Sequence, residues 1–316
     1  MPERTAVTLP DGVRLNVEVS GPDDAPITIV LLHGWTLDTR TWHYQLTTLP
    51  DALGVPVRLV AYDARGHGRS SGTSRERATL GQLGDDLAAV IEHIAPTGPI
   101  VLAGHSLGGM TIMEFAHKHP LAFADRVAGL VFISTTAEGH THTVYGLSPR
   151  VTRLIRIAET TGAGILARGG SWRLHRYVLR ALRPSLRWLL FGDHCRAEDL
   201  ILTTGAVARA QMLAIGAFRS SVGEQMRLET LAALGDVPAA AMVGDRDRLT
   251  PPPCAESIAQ ALPTTDLTIC PGAGHMLMLE RPALVTAALV EVTKAALRRM
   301  TPPDPVGPAA PDLQAA

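Results

Sequence analysis

Residues 100–109 read Ile-Val-Leu-Ala-Gly-His-Ser-Leu-Gly-Gly, and this stretch decides the fold. Ile100–Ala103 is a short, continuous apolar run, the pattern of a strand buried on both faces of a parallel sheet. It ends at Gly104. From Leu107 to His119 the apolar spacing becomes helical, and the pattern stops before Pro120. The five residues between, Gly104-His105-Ser106-Leu107-Gly108, form a G-x-S-x-G turn that joins strand to helix. A serine on such a turn adopts a strained backbone that lifts its hydroxyl clear of the sheet, and the flanking glycines relieve the crowding. The helix behind it offers free backbone N–H groups where negative charge would develop.

The same grammar extends in both directions. Thr5–Leu9 and Val13–Val19 flank Asp11-Gly12, a hairpin signal. Ile27–Leu32, Val57–Tyr62, Val127–Ile133, Val237–Val243 and Asp266–Ile269 are further strand-like runs. Leu80–Ile94, Cys254–Leu262 and Pro282–Leu297 have helical spacing. Alternation of this kind, with hairpin strands in front, predicts a doubly wound, mostly parallel α/β sheet. Between Ala137 and Gly235 the alternation breaks into helical spacing with no convincing strand, which predicts an inserted helical cap. The expected organisation is therefore a core of residues 1–136 and 236–300, a cap over 137–235, and a proline-rich disordered tail over 301–316.

A serine hydroxyl needs a base, and the base needs an orienting carboxylate. His275 is the one of twelve histidines presented on a glycine-rich loop, Pro271–Gly274, directly after a late strand. Two aspartates compete for the acid, Asp245 and Asp247. Asp247 lies further from the strand end and precedes Leu249-Thr250-Pro251, so it can turn back toward the histidine loop. Asp245 is expected to bond the loop or a neighbouring arginine. Two backbone donors must receive the oxyanion. Leu107 follows the nucleophile, and Trp35 lies in the loop His33–Thr36 after the Ile27–Leu32 strand; the Trp35 side chain is read equally as packing or as pocket wall.

Four motifs, HGW at 33–35, DARGHGRS at 63–70, GHSLGG at 104–109 and GAGHMLMLERP at 272–282, resemble those of the α/β-hydrolase superfamily in their usual order. The likeness is strongest to its esterase, lipase and haloperoxidase-like members and runs from about Thr5 to Leu297, with the cap unmatched. It implies an eight-stranded sheet, a Ser106–Asp247–His275 triad, and neither metal nor organic cofactor. Relatives that open epoxides or cleave carbon–halogen bonds carry aspartate at the nucleophile position, where this chain has Ser106. The DARGHGRS segment is read as structural, with Asp63 bonding the turn.

The cap holds ten arginines between Arg150 and Arg196 against Glu159 and Asp193. Arg173, Arg176, Arg180 and Arg183 fall on one helical face, with Leu174, Tyr177, Val178, Ala181 and Leu182 opposite. Pro184 is expected to end that helix and a second to follow with Trp188 and Leu189. One reading makes the arginine face a solvated exterior. The other makes it attract an anionic substrate, an acyl carrier or a lipid headgroup layer. Trp35, Met276, Trp172 and Trp188 are the expected substrate-binding side chains, which suits a fairly apolar ester or thioester.

The bulk numbers set outer limits. The chain has 316 residues, 46% of them hydrophobic and 19% charged, with a formal net charge of −1. Nothing global favours nucleic acid. Cys195, Cys254 and Cys270 are too widely spaced for a metal motif and are expected as free thiols. The charged, proline-bearing start lacks the apolar core of a signal peptide, and no window approaches a membrane span. A cytoplasmic enzyme, monomer or homodimer, acting on a small ester or acyl substrate is the expectation. An acyltransferase or perhydrolase with the same triad, and a non-catalytic ligand-binding homologue, are the alternatives.

Overall fold

The computed structural model describes residues 2–142 and 176–300, together with Arg150 and Gly162. Eight strands form one sheet: β1 Glu3–Thr8, β2 Arg14–Ser20, β3 Thr28–Leu32, β4 Arg58–Tyr62, β5 Ile100–His105, β6 Val127–Ile133, β7 Ala239–Gly244 and β8 Thr265–Cys270. Their order is β1-β2-β4-β3-β5-β6-β7-β8. β1 pairs antiparallel with β2, and β2 with β4; every pairing from β4 onward to β8 is parallel. Gly12 carries the positive φ of 81° that the Asp11-Gly12 hairpin requires.

The central strands are buried on both faces, and their period-two alternation feeds two separate cores. Ile100 and Leu102 of β5 join Val30, Leu32, Leu87 and Phe115. Val101 and Ala103 join Ile29, Leu31, Leu49 and Leu289 on the other side. Helices Leu80–Ile94 and Leu107–Lys118 supply one layer, His43–Leu53 and Pro282–Met300 the other. This is the expected doubly wound sheet.

A buried ion cluster ties its front edge together. The Arg65 guanidinium donates to both oxygens of Asp86 at 2.6 Å each and to Asp11 at 2.9 Å, with Arg65 wholly enclosed. Pairing and hydrogen bonding are what make a buried guanidinium tolerable. Nearby, Asp63 accepts from the N–H groups of Thr39 and Arg69 and from the Asn16 amide. The DARGHGRS segment thus serves as scaffold.

Within 137–235 the described residues contain no strand. Helices Arg176–Leu190, Ala197–Arg209, Met212–Glu224 and Leu228–Ala232 fill the interval between β6 and β7. The helix Arg176–Leu190 runs through Pro184, contrary to the expected break. An interior proline costs about 3 kcal/mol; burial of Leu179 and Leu190 along the helix opposes that cost. Leu182 is exposed and Arg183 half-buried, so the arginine and apolar faces do not separate as expected. Arg153, Arg156, Arg168, Trp172 and Arg173 lie outside the described residues, as does the 301–316 tail.

The insertion is fastened to the core by named bonds. Arg209 donates twice to the buried Asp38 carboxylate at 2.9 and 2.8 Å. Gln211 N–H donates to Gly66 O, and Leu80 N–H to Ser221 Oγ. The three cysteines are free, Cys254 and Cys270 buried and Cys195 half-buried. Among the described residues no helix is long and apolar enough on its own to cross a membrane.

Candidate active site

Ser106 follows β5 directly and has φ 51° and ψ −113°, one of three non-glycine residues described with positive φ. The surroundings hold it there. Its N–H donates to Ile133 O at 2.9 Å, and Thr135 Oγ1 donates to Ser106 O at 2.7 Å. The turn has no spare volume: a Cβ on Gly104 would strike the Gly108–Gly109 backbone, and one on Gly108 would strike Leu32 O.

The loop after β3 is pressed against this turn. A Cβ on Gly34 would meet the His105 ring and the Ser106 side chain, so glycine is required for the approach. The loop itself is braced by His33. Its Nε2 accepts from Ala64 N–H at 2.9 Å, which leaves Nδ1 to donate to Gly34 O at 2.7 Å. Trp35 follows the close-packed Gly34, and Leu107 follows Ser106 as the first residue of its helix.

His275 and Asp247 meet across 28 positions of chain: Nδ1 to Oδ2 is 2.8 Å, and both side chains are buried. The other oxygen, Oδ1, accepts from Leu249 and Thr250 N–H at 2.9 Å each, while Thr250 Oγ1 donates to Oδ2 at 3.0 Å. With an acceptor oxygen at Nδ1, that nitrogen is the ring's donor toward Asp247. Asp245 is exposed and accepts from Gly272 N–H at 2.8 Å, bracing the histidine loop from outside.

Three side chains that sequence reasoning left without a role hold these loops in place. His105 Nε2 donates to His275 O at 2.9 Å, so the Ser106 turn and the histidine loop are joined directly. Burial, and then the neighbouring His275, push the His105 pKa well below its usual value, so the ring is neutral. Glu280 accepts from Gly274 and Met276 N–H on either side of His275, and from Gly192 N–H in the insertion. Burial raises the Glu280 pKa against the pull of these amides. Thr250 completes the set. Glu280 and Thr250 stood within the quoted motifs, but nothing in a single chain marked which amides they would meet.

A cavity of about 90 Å³ opens at Ser106, walled among the described residues by Trp35, Met110, Thr136, Arg219, Val222 and Thr250. The expected substrate-binding set needs correction against it. Met276 lies in the core cluster under the histidine loop, where it starts the short helix Leu277–Glu280. Trp188 is 46% exposed, because the buried stripe of its helix runs through Leu179 and Leu190 instead. Neither is among the described walls. Among the described residues no cluster of three or more His, Cys, Asp or Glu could hold a metal ion.

Residues 29–288 match the family model described as the alpha/beta hydrolase family. The chain belongs to the α/β hydrolase family. This α/β hydrolase is 29% identical over 286 residues to a Bacillus subtilis (strain 168) protein provisionally named 2-succinyl-6-hydroxy-2,4-cyclohexadiene-1-carboxylate synthase, covering 88% of this chain and 94% of that one. It is 37% identical over 128 residues to the bifunctional esterase/perhydrolase DCH of Acinetobacter calcoaceticus, which spans 40% of this chain and 43% of that protein. Among solved structures, a thermophilic esterase from Thermogutta terrifontis superposes with a TM-score of 0.73 at 26% identity, covering 93% of this chain and 99% of the other.

Proposed function

We propose that the protein is a serine hydrolase that cleaves a carboxylic ester or thioester through an acyl-enzyme. Ser106 Oγ attacks the carbonyl while His275 Nε2 takes its proton. Asp247 holds Nδ1–H and stabilises the imidazolium that forms. The backbone N–H groups of Leu107 and Trp35 receive the oxyanion. The imidazolium then protonates the departing alkoxide or thiolate, and a water activated by His275 releases the acid. The observation that carries this reading is the 2.8 Å contact from His275 to Asp247, with the second acid oxygen already filled by two backbone amides. Such an acid can orient the ring but has little freedom to do anything else. The small cavity at Ser106 favours a short acyl or alcohol group. The Acinetobacter esterase/perhydrolase favours a second outcome, acyl transfer to peroxide by the same steps.

The test is turnover of p-nitrophenyl esters from acetate to long-chain acyl, wild type beside Ser106→Ala. The variant is expected to lose at least about 1,000-fold in kcat, the scale seen on removing a serine nucleophile. Equal rates in the two proteins would overturn the proposal. A wild-type optimum at acetate or butyrate is expected from the cavity. Adding hydrogen peroxide and following peracid separates the perhydrolase outcome from plain hydrolysis.

A further inference from the structure

The turn that carries Asp247 needs only backbone from its next residues. An aspartate that accepts from the N–H groups two and three positions on closes a local turn, and any residue but proline at 250 could supply the second N–H. The Thr250 side chain does something further. Its Oγ1 lies 3.0 Å from Asp247 Oδ2 and 3.3 Å from His275 Nδ1, while Oδ2 and Nδ1 are 2.8 Å apart. The three atoms thus form a triangle, and all three residues are buried.

Counting protons shows what the hydroxyl contributes. It has one proton to give and two lone pairs. A carboxylate oxygen can only accept, so the hydroxyl proton goes to Asp247 Oδ2 and a lone pair is left toward His275 Nδ1. A ring with N–H at Nδ1 then meets two acceptors on that side. A ring without it would face lone pairs from both oxygens unless the hydroxyl abandoned the acid. Threonine is stiff at χ1, and its own N–H is anchored on Asp247 Oδ1 at 2.9 Å, so the hydroxyl is a fixed reference for acid and ring together. Thr250 is also a wall of the Ser106 cavity, which places this reference beside the reacting groups.

We propose that Thr250 is a positioning residue for the reaction at Ser106: its hydroxyl, set between Asp247 Oδ2 and His275 Nδ1, fixes the carboxylate and the imidazole in the register that proton transfer needs. This rests on ester hydrolysis at Ser106. The hydroxyl neither gains nor loses its proton in the reaction. Formation and breakdown of the acyl-enzyme both pass through His275, so the effect falls on kcat whichever step is slower, and ester binding is left largely alone.

Thr250→Val keeps the shape and the backbone N–H and removes the hydroxyl, whereas Thr250→Ser keeps the hydroxyl. Both are compared with wild type on p-nitrophenyl acetate and butyrate, at a temperature where urea unfolding shows every protein folded. Thr250→Val is expected to lower kcat about tenfold on both esters, with KM within about twofold of wild type. Thr250→Ser should keep most of kcat. In an Asp247→Asn background, Thr250→Val should cost less than about twofold more, because the hydroxyl acts through Asp247. Undiminished kcat in Thr250→Val, a Thr250→Ser as slow as Thr250→Val, or the full cost repeated in Asp247→Asn overturns the proposal and leaves ester hydrolysis standing. Should Thr250→Val not fold, Thr250→Ala beside Thr250→Ser makes the same comparison. Should wild type turn over no ester at all, the hydrolase reading fails. The proton resonance of His275 Nδ1–H, assigned by its loss in His275→Gln, then decides the positioning role. A line shifted or broadened in Thr250→Val and restored in Thr250→Ser upholds it, and the same line in all three proteins overturns it.

Discussion

The Ser106 turn and the His275 loop lie side by side but are held by different parts of the chain. Ser106 is fixed by the sheet and its next loop: Ile133 O, Thr135 Oγ1, and the packing of Gly104 and Gly108 against neighbouring backbone. The histidine loop is fixed partly by the insertion. His275 N–H donates to Leu190 O at 2.8 Å, Asp193 N–H donates to Gly272 O at 2.8 Å, and Glu280 bridges Gly192 to Gly274. Arg187 in turn donates to Gly192 O and Asp193 O, closing the end of its own helix. Ser106 is thus held by the core, and the placement of His275 is shared with the segment that shapes the pocket. Changes in the insertion should therefore reach kcat through the histidine before they reach the serine.

Glu280 gives the largest expected break in that comparison. Glu280→Ala leaves the Gly192, Gly274 and Met276 amides without their acceptor, at about 1–3 kcal/mol for each buried donor that finds no water. Stability should fall by about 3 kcal/mol in urea unfolding, and kcat by about 10- to 100-fold at a temperature where the variant is still folded. KM should move much less. Glu280→Gln retains one acceptor oxygen and should retain more of both quantities. A Glu280→Ala enzyme with undiminished kcat would mean that the insertion does not help place His275.

His105 crosses between the two regions, and its titration sharpens the contrast. Its folded-state pKa lies below the unfolded one, so the folded protein binds the proton less tightly. Its contribution to stability is complete above about pH 6.5 and is lost as pH falls below that value. His67, desolvated and close to His33, is held down to about 3 and acts in the same direction. Each should add up to about 1.4 kcal/mol per pH unit to the acid slope of stability. His105→Gln keeps a donor for His275 O and removes the titration. The slope between pH 6 and pH 4, followed by thermal unfolding, should drop by one imidazole's share. An unchanged slope would place a charged or unfolded-like His105 in the native state.

How much of this was legible in the sequence follows the same division. Strands β3, β5 and β6 announced themselves because residues such as Ile29, Val101 and Val131 are buried by backbone-level geometry that a local apolar run encodes. The turn at Ser106 was legible because glycine is compulsory where backbone meets backbone. The insertion was harder. Pro184 signalled a break that tertiary burial of Leu179 and Leu190 overrode, and Trp188 looked like a pocket wall until its neighbours fixed the helix rotation. His105 meets His275 and Glu280 meets Gly192 across long stretches of chain, so no window of the sequence could assign those contacts.

The smallest expected effect tests whether the insertion also reaches the acid. Arg248, next to Asp247, stacks 4.8 Å from the Trp188 ring centroid and donates to Trp188 O at 2.7 Å. The pair therefore joins the Asp247 loop to the helix that ends at Leu190, whose carbonyl holds His275. Trp188 is nearly half exposed, so the stacking is worth about 0.5–1 kcal/mol at most. Trp188→Leu removes the ring and leaves the carbonyl in place, whereas Arg248→Met removes both contacts. A double-mutant cycle should therefore give a coupling of about 0.5 kcal/mol in stability. Each single variant should lower kcat by no more than about threefold, because Asp247 keeps its own amide donors from Leu249 and Thr250. A tenfold or larger fall in kcat with no loss of stability would show that the acid, like the histidine, takes its position from the insertion, and the contrast between the two halves of the site would be wider than the hydrogen bonds alone indicate.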